Sequence, residues 1–168
     1  MTRSALGDAF DHHVWATVRV IDVCAALTEE QLATAVPGTY GSILDTLRHL
    51  VGSDSWYLFV ISGERTPRID EDTMSLPQLR QAIEHDGTEW RSLLDRGFDP
   101  DTVVVAHRPE GVDGHAPLGI RFAQVLHHGT DHRSQICTAL TALGIEPPLI
   151  DVWDFGEIDG RVYDAEPS

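Results

Sequence analysis

The stretch Val125-Leu126-His127-His128-Gly129-Thr130-Asp131-His132-Arg133-Ser134-Gln135-Ile136 places three histidines within six residues of an amphipathic segment. A helix of 3.6 residues per turn stacks side chains four apart on one face, so His128 and His132 become neighbours there. His127 points about 100° away from His128 and is not expected to join them. Two imidazoles on one face make up two-thirds of a typical three-ligand catalytic metal site. The pattern is weak alone, because a solvated face of a histidine-rich chain can carry the same spacing. A third inward-pointing ligand on another element would change its meaning.

Working outward, Ile120 to Leu143 reads as one long helix closed by Gly144. Before it, Thr102-Val103-Val104-Val105-Ala106 is short and β-branched, with turn residues from Pro109 to Gly114. The span 101–118 is therefore expected to be a small hairpin or extended crossover. Ser75-Leu76-Pro77 resembles an N-cap and first turn, predicting a helix to about Arg96 with Gly97 as its stop. The acidic stretch Glu64 to Thr73, with Pro67, is expected to be an exposed loop.

A further helix is predicted from about Ser42 to Ser62, with Gly63 as C-cap. Ile43, Leu47, Leu50, Asp54, Leu58 and Ile61 mark one of its faces. Asp8 to Leu27 is expected to form the first helix through Phe10, Val14, Val18, Ile21 and Ala25. Thr28-Glu29-Glu30-Gln31 matches a capping box for a short turn of helix before Pro37-Gly38. The tail from about Pro147, containing Trp153 and Phe155, shows no clear period and is expected to be an irregular strap. Four helices of roughly twenty residues describe an all-α four-helix bundle in a single domain spanning 1–168.

Bundles build metal sites from facing helices, and His49, flanked by Leu47, Leu50 and Val51, is placed to supply the missing ligand. A lone buried histidine is more often a hydrogen-bonded core residue. The pair on the last helix is what gives His49 a second reading.

Composition bounds the alternatives. The chain has 168 residues, 42% hydrophobic and 23% charged, with a net charge of -15. Its twelve basic residues are scattered and all arginine, which argues against a nucleic-acid partner. The acidic surface would also be repelled by anionic membranes. No stretch approaches the ~20 apolar residues of a membrane span, and Arg19 and Asp22 interrupt the apolar run near the N-terminus. The expectation is a cytoplasmic protein acting on a small molecule, with Cys24 and Cys137 as free thiols rather than a disulfide. Of the remaining histidines, His12, His13, His85, His107 and His115 are expected at the surface, His12 and His13 being the best placed to line a substrate mouth.

These residues carry a resemblance. Asp45-Thr46-Leu47-Arg48-His49-Leu50, followed by Trp56, is similar to the second-helix motif of the DinB-like (DinB/YfiT-like) metalloenzyme family. His128-Gly129-Thr130-Asp131-His132-Arg133-Ser134-Gln135 resembles that family's fourth-helix H-x-x-x-H-R-x-Q pattern, and Trp15 and the order of elements also fit over roughly residues 5–145. The resemblance implies a four-helix bundle with metal ligands at His49, His128 and His132. Ser134 departs from the glycine common at that position, and Gln124 stands where some members carry another histidine.

Three neutral imidazoles would leave a divalent metal its full charge and an open position, making a Lewis acid able to activate a water or thiol. All-nitrogen ligation suits Zn, Ni or Fe over Mg or Ca. Asp45 and Asp131 could orient ligand imidazoles or lie on solvated faces, the latter favoured for Asp131. Arg133 could meet a substrate carboxylate, although packing within the bundle is favoured. Characterised family members include transferases using low-molecular-weight thiols and a maleylpyruvate isomerase, and members are often dimers. The resemblance thus implies a thiol-dependent S-transferase or isomerase, or a hydrolase, with self-association into a homodimer. The alternative is a non-catalytic metal- or ligand-binding stress-response bundle.

Overall fold

A computed structural model describes residues 4–63, 69–107 and 111–165. The expectations for residues 64–68 and for the turn at 108–110 fall outside the described residues.

The elements run α1 (Ala5–Cys24), α2 (Glu29–Leu32), α3 (Ile43–Ser62), α4 (Leu76–Asp95), β1 (Val103–His107), β2 (Asp113–Pro117), α5 (Leu118–Ala142) and α6 (Val152–Ile158). The starts of these helices are locally encoded. Thr28 and Gln31 exchange both capping bonds, at 2.9 and 3.2 Å, and Ser42 and Asp45 form the same device at the start of α3. Each bond satisfies an amide that the first helical turn leaves without a partner.

The fold is mostly helical with a small sheet, so the all-α expectation needs amending. β1 and β2 pair antiparallel with Val105 opposite His115, giving the hairpin expected within 101–118. Arg121 Nη2 donates to Val104 O and Gly114 O at 2.8 and 2.9 Å, tying the start of α5 to both strands. The C-terminal strap is also more regular than expected. Asp151 accepts from the Asp154 amide at 2.9 Å and initiates the two-turn helix α6. Seven residues are too few to show a hydrophobic period, so only the cap could have announced it. Phe155 of α6 packs on Trp15 and His12, with ring centroids 5.4 and 5.8 Å away.

The four long helices share one interior: α1 packs on α4 and α5, and α3 on the same two. Two apolar clusters fill its ends. One holds Val20, Ile21, Ile43, Leu47, Val51, Leu79, Ile83, Ile136 and Leu140. The other is aromatic, with Phe10, Trp90 and Phe122 around Leu58 and Val125. Fully burying one such side chain contributes about 1.5–3 kcal/mol. Between the clusters the core turns polar, with His13, Thr17, Asp54, Ser55, Asp86 and Arg133 all buried. No helix among the described residues is long and apolar enough to cross a membrane.

Candidate metal centre and the buried polar layer beside it

α3 and α5 bring His49, His128 and His132 together. The Nε2 atoms of His128 and His49 lie 3.3 Å apart, and those of His132 and His128 3.1 Å apart. One ligating atom from each residue lies within 4.8 Å of the others. An imidazole nitrogen with its lone pair toward this point can accept from a neighbour's N–H or bind a cation.

The orientation of His132 follows from its neighbours. Gln135 accepts the Tyr40 backbone N–H through Oε1 at 3.0 Å, which fixes which end of its amide carries oxygen. That same oxygen lies 3.1 Å from His132 Nδ1, so Nδ1 carries the proton and donates it. The lone pair of His132 is therefore on Nε2, facing the cluster. The Tyr40 ring stacks on His49 with centroids 4.0 Å apart and planes 9° apart, and Tyr57 meets His128 edge-on at 5.7 Å. Burial, then the neighbouring His132 and His49, lower the His128 pKa to about 4. Burial likewise lowers that of His132. Both imidazoles therefore stay neutral near pH 7, as metal ligation requires.

The donor set fits a metal ion. Metal–nitrogen bonds of about 2.0–2.1 Å at tetrahedral angles separate their nitrogens by about 3.3 Å, close to the separations here. Gln124 is not a further member: its Nε2 donates to Tyr57 Oη at 3.2 Å. His127 is exposed on the far face, beside Leu6 and Phe98.

Beside this cluster lies a second polar group that the sequence reading missed. His13, expected at the surface, is 1% exposed. Its Nε2 lies 2.9 Å from Asp54 Oδ1, and its Nδ1 lies 3.0 Å from Arg133 Nη1. Arginine can only donate, so His13 is neutral, accepting at Nδ1 and donating from Nε2 to the carboxylate. Trp90 Nε1 donates to the other Asp54 oxygen at 3.0 Å. Arg133 also donates to Thr17 and Thr130 and is buried, so its guanidinium is engaged in packing within the bundle. Burial lowers its pKa to about 10. In the same buried layer Ser55 donates to Asp86, whose pKa burial and nearby Asp54 raise to about 7.

Gly129 is what lets α5 approach α1 here, since a Cβ on it would lie 2.3 Å from His13 Cε1. Ser134, where the family pattern suggested a small residue for close packing, is exposed instead. The signal for His13 was present in its α1 spacing to Phe10, Ala16, Thr17 and Val20, all on the buried face. His12 is half-buried, its Nε2 2.8 Å from Ile150 O, and burial lowers its pKa. His85, His107 and His115 are exposed as expected. Asp45 is occupied in its own helix cap and Asp131 is solvated, so neither orients an imidazole. Cys24 and Cys137 are free thiols, and burial raises both pKa values, that of Cys24 to about 12.

Comparison with known proteins agrees with this architecture. A crystal structure of a DinB-like protein from Bacillus cereus ATCC 10987 superposes with a TM-score of 0.64, covering 84% of this chain and 92% of that one. At 16% identity the likeness speaks for the fold alone. No curated protein matches the chain in sequence. The sequence model of the DinB family matches residues 1–163, nearly the whole chain, and the protein is a member of that family.

Proposed function

We infer that His49, His128 and His132 hold a divalent metal ion of the Zn, Ni or Fe type, and that the protein is a metal-dependent enzyme acting on a small molecule. The observation that carries this reading is the convergence of three imidazoles, with His128 Nε2 3.3 Å from His49 Nε2 and 3.1 Å from His132 Nε2 and one ligating atom of each within 4.8 Å of the others. A divalent metal bound there would supply a Lewis acid with an open position. Burial holds the His128 and His132 pKa values down, Gln135 fixes the His132 lone pair, and Tyr40 and Tyr57 wall the site.

The reaction class proposed is S-transfer or isomerisation with a low-molecular-weight thiol, with hydrolysis as the other possibility for the same centre. Family resemblance supports the thiol, and so does charge, because neutral ligands leave the full +2 available to an anionic sulfur. The pair of free cysteines accords with a reducing compartment such as the cytoplasm.

The test is metal content and zinc affinity of the purified protein and of a His49→Ala/His132→Ala variant. The expected result is one bound metal in the parent protein and affinity weakened by at least ~100-fold in the variant, beyond the loss typical of an outer-shell residue. Equal, negligible metal in both would overturn the reading. A screen of electrophiles with glutathione, mycothiol or bacillithiol then addresses the reaction. Metal binding without turnover would favour a non-catalytic stress-response role.

A further inference from the structure

Gln135 accounts for the outer nitrogen of His132, but nothing so far accounts for that of His49. A group that reaches it comes from residues 69–75, which precede α4. Glu71 Oε2 lies 3.5 Å from His49 Nδ1, on the ring nitrogen opposite the cluster. The placement is built from three sides. Arg48, the residue before His49, donates from Nε to Met74 O at 2.9 Å and so fastens this segment against α3. Tyr40 covers one face of the His49 ring. Gly52, three residues beyond His49 on α3 and buried, leaves the gap through which the Glu71 side chain runs.

A Cβ at Gly52 would lie 2.7 Å from Glu71 Oε1 and 2.9 Å from its Cγ. A glycine in mid-helix is less favourable than alanine for the helix itself. The passage of Glu71 gives this position a reason to lack a side chain.

We propose that Glu71 is a positioning residue: its carboxylate holds the proton of neutral His49 on Nδ1 and thereby turns the Nε2 lone pair toward His128 and His132. A neutral imidazole has one N–H and one lone pair, and a carboxylate can only accept, so its presence beside Nδ1 selects that tautomer. The half-exposed Glu71 thus does for His49 what Gln135 does for His132, with an added negative charge that favours a bound cation. Its value for metal affinity rests on the three-histidine metal reading; the tautomer itself does not.

The experiment therefore has two arms. In the metal-free protein at about pH 8, where imidazoles are neutral, long-range proton–nitrogen NMR reports the His49 tautomer. The Nδ1–H form is expected in the parent protein and a mixture with Nε2–H in Glu71→Ala. In the second arm, zinc affinity should fall about 10-fold in Glu71→Ala and recover in part in Glu71→Gln, whose amide oxygen still accepts. Gly52→Ala should lower zinc affinity in the same direction while the thermal midpoint of the metal-free protein stays the same or rises, a combination a purely structural role would not give. An unchanged His49 tautomer in Glu71→Ala, or zinc binding as tight as in the parent protein, would overturn the proposal. A parent protein that binds no zinc yet shows the Glu71-dependent tautomer would uphold the positioning and overturn the metal reading.

Discussion

Two histidine-containing groups sit side by side in this molecule, and they differ in how their polar atoms are matched. In the buried layer, His13 has a donor at one nitrogen and an acceptor at the other. Asp54 receives His13 and Trp90, and Arg133 reaches three residues on α1 and α5. In the neighbouring cluster of His49, His128 and His132, the outer nitrogens of two imidazoles have partners while the inner ones face only each other. A matched network specifies packing, whereas imidazoles gathered about one point suit the cation proposed to bind there. The same residue type serves both because the partners, rather than the imidazole, set the role.

That contrast predicts opposite responses to substitution. The largest effect should come from Asp54→Ala, which leaves the buried His13 and Trp90 N–H groups without their acceptor and removes the negative charge near buried Arg133. A buried donor left unsatisfied costs about 1–3 kcal/mol, so the loss should be about 3–5 kcal/mol in all, to be read from urea unfolding. His49→Ala, by contrast, should leave the metal-free protein nearly as stable as before. A small loss in Asp54→Ala would break the comparison by making the buried layer dispensable.

Next in size is a pH-dependent effect at Asp86. Its folded pKa of about 7 lies above the ordinary value of 3.8 because burial penalises the charge. The folded state therefore binds the proton more tightly, and the penalty is absent below pH 3.8, grows through pH 4–7 and is complete above about 7. Asp86→Asn keeps an acceptor for Ser55 and removes the charge. It should stabilise the fold by on the order of 3–4 kcal/mol at pH 8 and by little at pH 4. His128 contributes in the opposite sense, since its lowered pKa makes stability fall as pH drops from 6.5 toward 4. The difference between Asp86→Asn and the parent protein across pH isolates the carboxyl. A flat difference would contradict the assignment.

The smallest effect is predicted for Gln135→Ala, which removes the acceptor that keeps the His132 proton on Nδ1. Zinc affinity should fall about 10-fold, or about 1.4 kcal/mol, with little change in the unfolding midpoint of the metal-free protein. An unfolding midpoint that drops while affinity holds would place Gln135 with the buried layer.

Much of the architecture was legible in the sequence because it is set by nearest neighbours. The capping pairs Thr28–Gln31 and Ser42–Asp45 and the stop at Gly63 act within a turn or two. They bounded α2 and α3 closely. The β-branched run beginning at Thr102 announced the hairpin in the same way. The failures were of another kind. α6 was too short for a period to show, and His13 was assigned to the surface because a histidine next to another near a helix start gives no sign of a carboxylate forty-one residues away. Its i,i+3 relation to Phe10 and Ala16 held the information, but only an apolar side chain would have drawn attention to it.

By itself, then, the sequence determined the four long helices, the hairpin and the i,i+4 register that puts His128 and His132 on one face, since these follow from backbone geometry and local hydrogen bonding. It also nominated His49, because its apolar neighbours Leu47, Leu50 and Val51 in the middle of α3 point to burial. Only the tertiary structure decided which histidines would be saturated and which left open. Asp54 and Arg133 reach His13 from other helices and Glu71 reaches His49 from the segment before α4, whereas Gln135 meets His132 within α5 itself. The partner of a polar group buried in a core is chosen by how helices pack, which no local pattern encodes.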